Sequence, residues 1–155
     1  MDVSQEGPPR AGCSIAAALA VVGDRWSLLV VRELLYGAHR YGEIARGTGA
    51  ATDVLAARLK RLVEAGVVDR RLYSQRPPRW EYHLSEAGQE LAPVLVVLLR
   101  WGDRWANDQV PVVLEHGEPG HPLVPVLVCA ECGRPADEGG LHARTADGAV
   151  HPLGA

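Results

Sequence analysis

Between residues 13 and 107 the apolar positions follow helical spacing, then strand spacing, then helical spacing again, and each change of period marks an element. Residues 13–22 are almost continuous Ala, Ile, Leu and Val, which predicts a short helix that must be buried or paired. Gly23-Asp24 interrupts it, and Asp24 is a good N-cap for a helix over 25–35, with Trp26, Leu29, Val30 and Leu34 on one face. Gly37 ends that helix. A short helix is expected at 41–46, a turn at Gly47-Thr48-Gly49, and a longer helix at 52–65. In the last, Leu55, Leu59, Leu62 and Val63 form an inward stripe. Asp53, Ala57, Lys60, Arg61 and Glu64 face outward, with Arg58 at the edge. Beyond Gly66 the period falls to two: Val67-Val68 through Arg71-Leu72-Tyr73, then Trp80-Glu81-Tyr82-His83-Leu84, read as two strands. Residues 74–79 lie between them, and Pro77-Pro78 predicts that this stretch is neither helix nor mid-sheet, a loop longer than a two-residue turn. A helix over 89–107 then carries Leu91, Val94, Leu98, Trp101 and Trp105 as a coiled-coil-like seam, with Pro93 tolerable only near its start.

A hairpin this small does not stand alone in water, so it belongs to the helices around it. A short helix, a glycine turn, a longer helix with a basic flank and a basic hairpin form a helix-turn-helix with a wing. The expected fold is mainly α with a small β-hairpin wing. Three segments are expected: a mobile arm at 1–12, a winged domain with dimerisation helices at 13–108, and a C-terminal extension at 109–155. The N- and C-terminal helices, apolar on their outer faces, are expected to pair two copies as a homodimer.

The chain has 155 residues, 47% of them hydrophobic, enough for one real core and a small appendage. No apolar run reaches transmembrane length and the N-terminus has no signal pattern, so a soluble cytoplasmic protein with no membrane partner is expected. A net charge of -3 argues against a nucleic-acid partner, but its distribution argues for one. Residues 58–79 hold seven basic side chains against Glu64 and Asp69, a local +5, while 103–155 hold three against eight, a local -5. The basic cluster coincides with the hairpin.

In this order, several motifs resemble the HxlR-type winged helix-turn-helix regulators, relatives of the MarR-type group. They are Cys13, Gly23-Asp24-Arg25-Trp26-Ser27-Leu28-Leu29, Arg32-Glu33-Leu34, Arg40-Tyr41-Gly42-Glu43-Ile44, the run from Val54 to Leu62, Glu64-Ala65-Gly66-Val67-Val68, Pro77-Pro78-Arg79-Trp80-Glu81-Tyr82 and Leu84-Ser85-Glu86-Ala87-Gly88. The resemblance implies a homodimer on double-stranded operator DNA, a transcription regulator reading a pseudo-palindrome with the second helix in the major groove. It places Arg58, Arg61, Thr52 and Asp53 at base or phosphate contacts, Arg40 and Tyr41 as backbone anchors, and Arg76 and Arg79 of the wing on phosphates or in the minor groove. For Arg58 the alternative is a salt bridge to a nearby carboxylate, and for Asp53 a helix-N-terminal charge without a DNA role.

Some members of the family sense electrophiles or oxidants through a cysteine at the place of Cys13, which makes Cys13 a candidate redox sensor; the alternative is a small apolar residue buried at the dimer interface. Arg10 is the basic residue nearest to it in sequence. A small-molecule effector would find a pocket lined by Trp26, Trp101 and Trp105, unless these are plain core. Cys129-Ala130-Glu131-Cys132-Gly133 is half of a zinc knuckle that His116, His121, His142 or His151 could complete, His121 being the candidate third ligand; zinc is one reading, a degenerate knuckle kept as a β-rich flap the other. Glu118-Pro119-Gly120-His121-Pro122 echoes Glu131-Cys132-Gly133-Arg134-Pro135. The competing function is a protein-interaction adaptor whose winged helix and metal-binding tail bind protein. No His-Glu-x-x-His, Gly-x-Ser-x-Gly or phosphate-binding loop is present, so an enzyme is not expected.

Overall fold

Asp24 shows how local chemistry sets the first corner of the fold. In the computed structural model, which describes residues 12–136, 138, 140–145 and 147–153, α1 (Ser14–Val22) closes when Gly23 N–H donates to Leu19 O at 2.8 Å. Asp24 then accepts from the N–H groups of Trp26 and Ser27, both at 3.0 Å, and starts α2 (Arg25–Leu35). Most of the expected arm at 1–12 lies outside the described residues, as does Arg10.

α3 (Tyr41–Thr48) starts where Glu43 reaches back to accept from the N–H groups of Arg40 and His39, at 2.9 and 3.1 Å. It runs two residues past the expected end at 46. Thr48 donates its hydroxyl to Ile44 O at 2.8 Å, and the chain turns only at Gly49, whose φ of +67° suits glycine. α4 (Thr52–Glu64) buries Leu55, Leu59 and Leu62 as the stripe predicts. With Val22, Val30, Val31, Leu34, Ile44, Val67 and Val68 they form one core. Each such side chain contributes roughly 1.5–3 kcal/mol by leaving water.

β1 (Val68–Gln75) and β2 (Pro78–Leu84) pair antiparallel from Val68 with Leu84 to Gln75 with Pro78. The expected six-residue loop is therefore wrong: only Arg76 and Pro77 lie between the paired ends. A proline in the first position of an outer strand removes no donor the ladder needs, so Pro78 fits within the ribbon. A register shift between Leu72 and Ser74 bends the ribbon near its tip. The other edge of β2 is covered by residues 39–40, where Arg40 bridges Glu81 and Tyr82 N–H donates to His39 O at 2.8 Å.

The single helix expected at 89–107 is two, α5 (Glu86–Gln89) and α6 (Ala92–Trp105). Pro93 has no N–H to give Gln89 O, and its ring would collide with that carbonyl, so the helix restarts just ahead of it. Of the seam, Leu91 packs partly on the core, while Val94, Leu98, Trp101 and Trp105 are exposed. Among the described residues no single helix is long and apolar enough to cross a membrane.

The chain divides within α6 into two units, residues 1–101 and 102–155. The second is built of hairpins: β3 (Glu115–His116) with β4 (His121–Pro122), β5 (Leu141–Arg144) with β6 (Val150–Leu153), and between them a bridge from Val128 to Pro135. The sequence echo corresponds to the first hairpin and this bridged corner.

Candidate nucleic-acid interface

Because Leu55, Leu59 and Leu62 turn inward, the outer face of α4 carries Thr52, Asp53, Ala56, Ala57 and Lys60, all exposed. It is a face of small side chains with one cation at its far end. Lys60 Nζ lies 3.7 Å from Glu64 Oε1 with both side chains largely in solvent, a pair worth little that leaves the ammonium available. Lys60 is the candidate contact missed when the outer face was read for its arginines.

The structure gives Arg58 the second of its two expected roles. Its Nη1 is 3.3 Å from Asp24 Oδ2, and its side chain is only 29% exposed. It ties the middle of α4 to the start of α2. Its Nε is buried without a hydrogen-bond partner among the described residues. Arg61, exposed, donates to Ala20 O and fastens the end of α4 to α1. Tyr41 is half-buried, and its hydroxyl donates to Thr52 O at 2.7 Å, fixing α3 against the first turn of α4. Burial, with the charges of Tyr82 and Asp53 added, raises its pKa, so the hydroxyl keeps its proton for that bond. These three side chains orient the helix pair.

The hairpin presents the remaining cations. Arg76 and Arg79 are exposed at its tip, and neither enters an ion pair among the described residues. Ser74 Oγ donates to Pro77 O at 3.1 Å and holds the tip. Further down, the Arg70 guanidinium lies over the Trp80 ring, 3.8 Å from its centroid. Arg40 sits 4.9 Å over Tyr73 and donates from Nε to Glu81 at 3.2 Å. The bond to Glu81, with the charges of Tyr73 and Glu81, raises the pKa of Arg40.

The other candidates lie apart. Cys13 is exposed on the single chain at the N-cap of α1, and its side chain makes no capping bond. Trp26 is half-buried, with Arg25 4.5 Å over its ring. Trp101 and Trp105 are 58% and 66% exposed, so they are not core. In the second unit, no three His, Cys, Asp or Glu side chains converge as a metal set among the described residues. His121 instead meets His116 edge-on, 5.6 Å between ring centroids, and is not gathered with Cys129 and Cys132. The backbone N–H groups of Cys132 and Glu131, with the Cys132 side chain, hold the Cys129 thiol below its ordinary pKa.

Comparison with known proteins gives one answer. Residues 21–110 match the family described as HxlR-like helix-turn-helix. An uncharacterised HTH-type transcriptional regulator of Mycobacterium tuberculosis is 43% identical over 124 residues, 79% of this chain and 78% of that protein. The crystal structure of the protein PA1607 superposes with a TM-score of 0.71 at 35% identity, over 82% of this chain and 90% of the other. The redox regulator HypR in its oxidised form gives 0.56 at 29% identity, over 61% and 99%.

Proposed function

The chain belongs to the HxlR-like helix-turn-helix family, and from that premise we propose that it binds a pseudo-palindromic operator as a homodimer, one α4 entering the major groove of each half-site. At the family level it is a DNA-binding transcription regulator of the winged helix-turn-helix class. The observation that carries the finer reading is the open, small-residue face of α4 packed beside a hairpin whose tip carries two exposed arginines in no ion pair among the described residues.

Ala56 and Ala57 let the helix lie close to base edges and offer methyl groups to thymine. Thr52 and Asp53 stand at the deep end, where Asp53 can accept from a cytosine amino group. Lys60 and Arg40 neutralise phosphates, and Arg76 and Arg79 hold the backbone or minor groove next to the half-site. Tyr41, Arg58 and Arg61 keep α4 at the angle this needs. A second copy covers the exposed apolar residues of α1 and α6, placing the two recognition helices on half-sites about 34–36 Å apart.

The signal is a thiol-reactive or small molecule. Cys13 opens α1 with an exposed thiol, so an adduct there would alter a surface the dimer uses. One relative is by name a redox regulator. Trp26, Trp101 and Trp105 are the aromatic surfaces an apolar effector would use.

The test is binding to the DNA upstream of the protein's own gene across a salt series, with Arg76→Ala/Arg79→Ala alongside. Each phosphate contact contributes about 0.9 to the slope of log affinity against log salt, so the double variant should flatten it by about two units. Specific binding with an unchanged slope would remove the wing from the reading. Absence of any preferred DNA would remove the operator from it.

A further inference from the structure

Two of the three cysteines occupy one closed corner of the second unit. Val128 bridges Pro135, Cys129 N–H donates to Arg134 O at 2.9 Å, and Ala136 N–H to Leu127 O at 2.8 Å. Gly133, at φ +70°, turns the chain so that its N–H reaches Cys129 O at 2.8 Å. This turn brings Cys129 and Cys132, three residues apart, into the same corner. Both thiols are free and exposed.

A structural zinc site needs four ligands. The neighbouring hairpin, which repeats this corner in sequence, has Pro119 where Cys132 stands and pairs His116 with His121. Among the described residues, then, no third His, Cys, Asp or Glu side chain gathers with the two thiols as a metal set.

We propose that Cys129 and Cys132 form a reversible intrachain thiol–disulfide couple, oxidised by peroxide. The Cys129 sulfur attacks one oxygen of hydrogen peroxide and the O–O bond breaks. One water leaves, and Cys129 becomes a sulfenic acid. The Cys132 sulfur then attacks that sulfur, the S–O bond breaks, and a second water leaves with the Cys132 thiol proton. Two thiols and one peroxide give one disulfide and two waters, and the two sulfurs supply the two electrons. Cys132 resolves the intermediate because the closed turn keeps it in the same corner as Cys129. A dithiol reductant reverses the reaction by exchange.

The test uses the full chain with Cys13→Ser, so that two thiols remain. Stoichiometric peroxide should consume both, lower the intact mass by two hydrogens and give no covalent dimer on a non-reducing gel, and dithiothreitol should restore both thiols. With Cys132→Ser added, a dimedone adduct should accumulate on Cys129. With Cys129→Ser instead, that adduct should be lost. Thiols that survive peroxide, or oxidise only between chains, overturn the proposal. So does purified protein with one equivalent of bound zinc whose thiols react only after chelation, which would make the corner a metal site.

Discussion

Asp24 accepts from two backbone N–H groups, the Ser27 hydroxyl and Arg58, a residue 34 positions away. Desolvation pushes its pKa up, but the bonds from Ser27, the charge of Arg58 and the bond from Trp26 outweigh it, and the net direction is down from 3.8. Glu43 is lowered in the same sense, first by the Arg40 N–H and then by that of His39. For both, the unfolded chain binds more protons in the window between folded and unfolded values, so stability rises with pH there. It is fully present above the ordinary carboxylate value and lost as pH falls through the lowered one. Asp24→Ala should cost about 2 kcal/mol in urea unfolding near neutrality, a cap plus an orphaned arginine. Asp24→Asn keeps the cap, and its loss of stability between neutral pH and acid should be smaller than that of the wild type. An equal loss would show that the Asp24 charge does not matter to the fold. The cap was legible in Gly23-Asp24. The partner was not, because no local pattern says which side of α4 Arg58 takes when it lies at the edge of the stripe.

At the scale of elements, legibility followed period and punctuation. The helices at 25–35 and 52–65 and the alternating strands stood out because their apolar spacing is regular. The two larger errors sit at prolines, whose effect depends on which backbone groups the surroundings require. Pro78 interrupts nothing in a two-stranded ribbon, whereas Pro93 splits a helix at the carbonyl of Gln89. The second join depends on Gly88, buried in α5, where an added Cβ would stand 2.2 Å from Val67 O and 3.0 Å from Leu84 Cδ2. The carbonyl is backbone and cannot swing aside, so Gly88→Ala must push α5 away from Val67, the residue just ahead of β1. A loss of about 1–3 kcal/mol in thermal or chemical unfolding is expected. Gly102→Ala is the control. It meets nothing within 4 Å in α6, and should be neutral or stabilising by up to about 1 kcal/mol. Equal effects at the two sites would mean that helix propensity, and not the close approach of α5 to the Val67 carbonyl, sets the requirement for glycine.

For the molecule as a whole, a net charge of -3 conceals a basic cluster in the first unit and an acidic excess in the second, a division read from sequence by position alone. The apolar surface is less legible, since periodicity reports a stripe and not what covers it. Ile15 and Leu19 of α1 are 72% and 58% exposed, and no residue of α6 is buried. Water against this much Ile, Val, Leu and Trp is unfavourable, and a second copy would cover it. Leu98→Glu would place two unpartnered charges in such an interface without touching the core. It should convert a dimer to a monomer by light scattering while leaving the circular dichroism unchanged. Two linked half-site contacts bind roughly a hundredfold or more tighter than one. Affinity for a palindromic operator should fall by that factor, while affinity for an isolated half-site stays the same. A Leu98→Glu protein that remains dimeric would move the interface away from α6. One that becomes monomeric with undiminished operator binding would show that one copy is enough to recognise the operator.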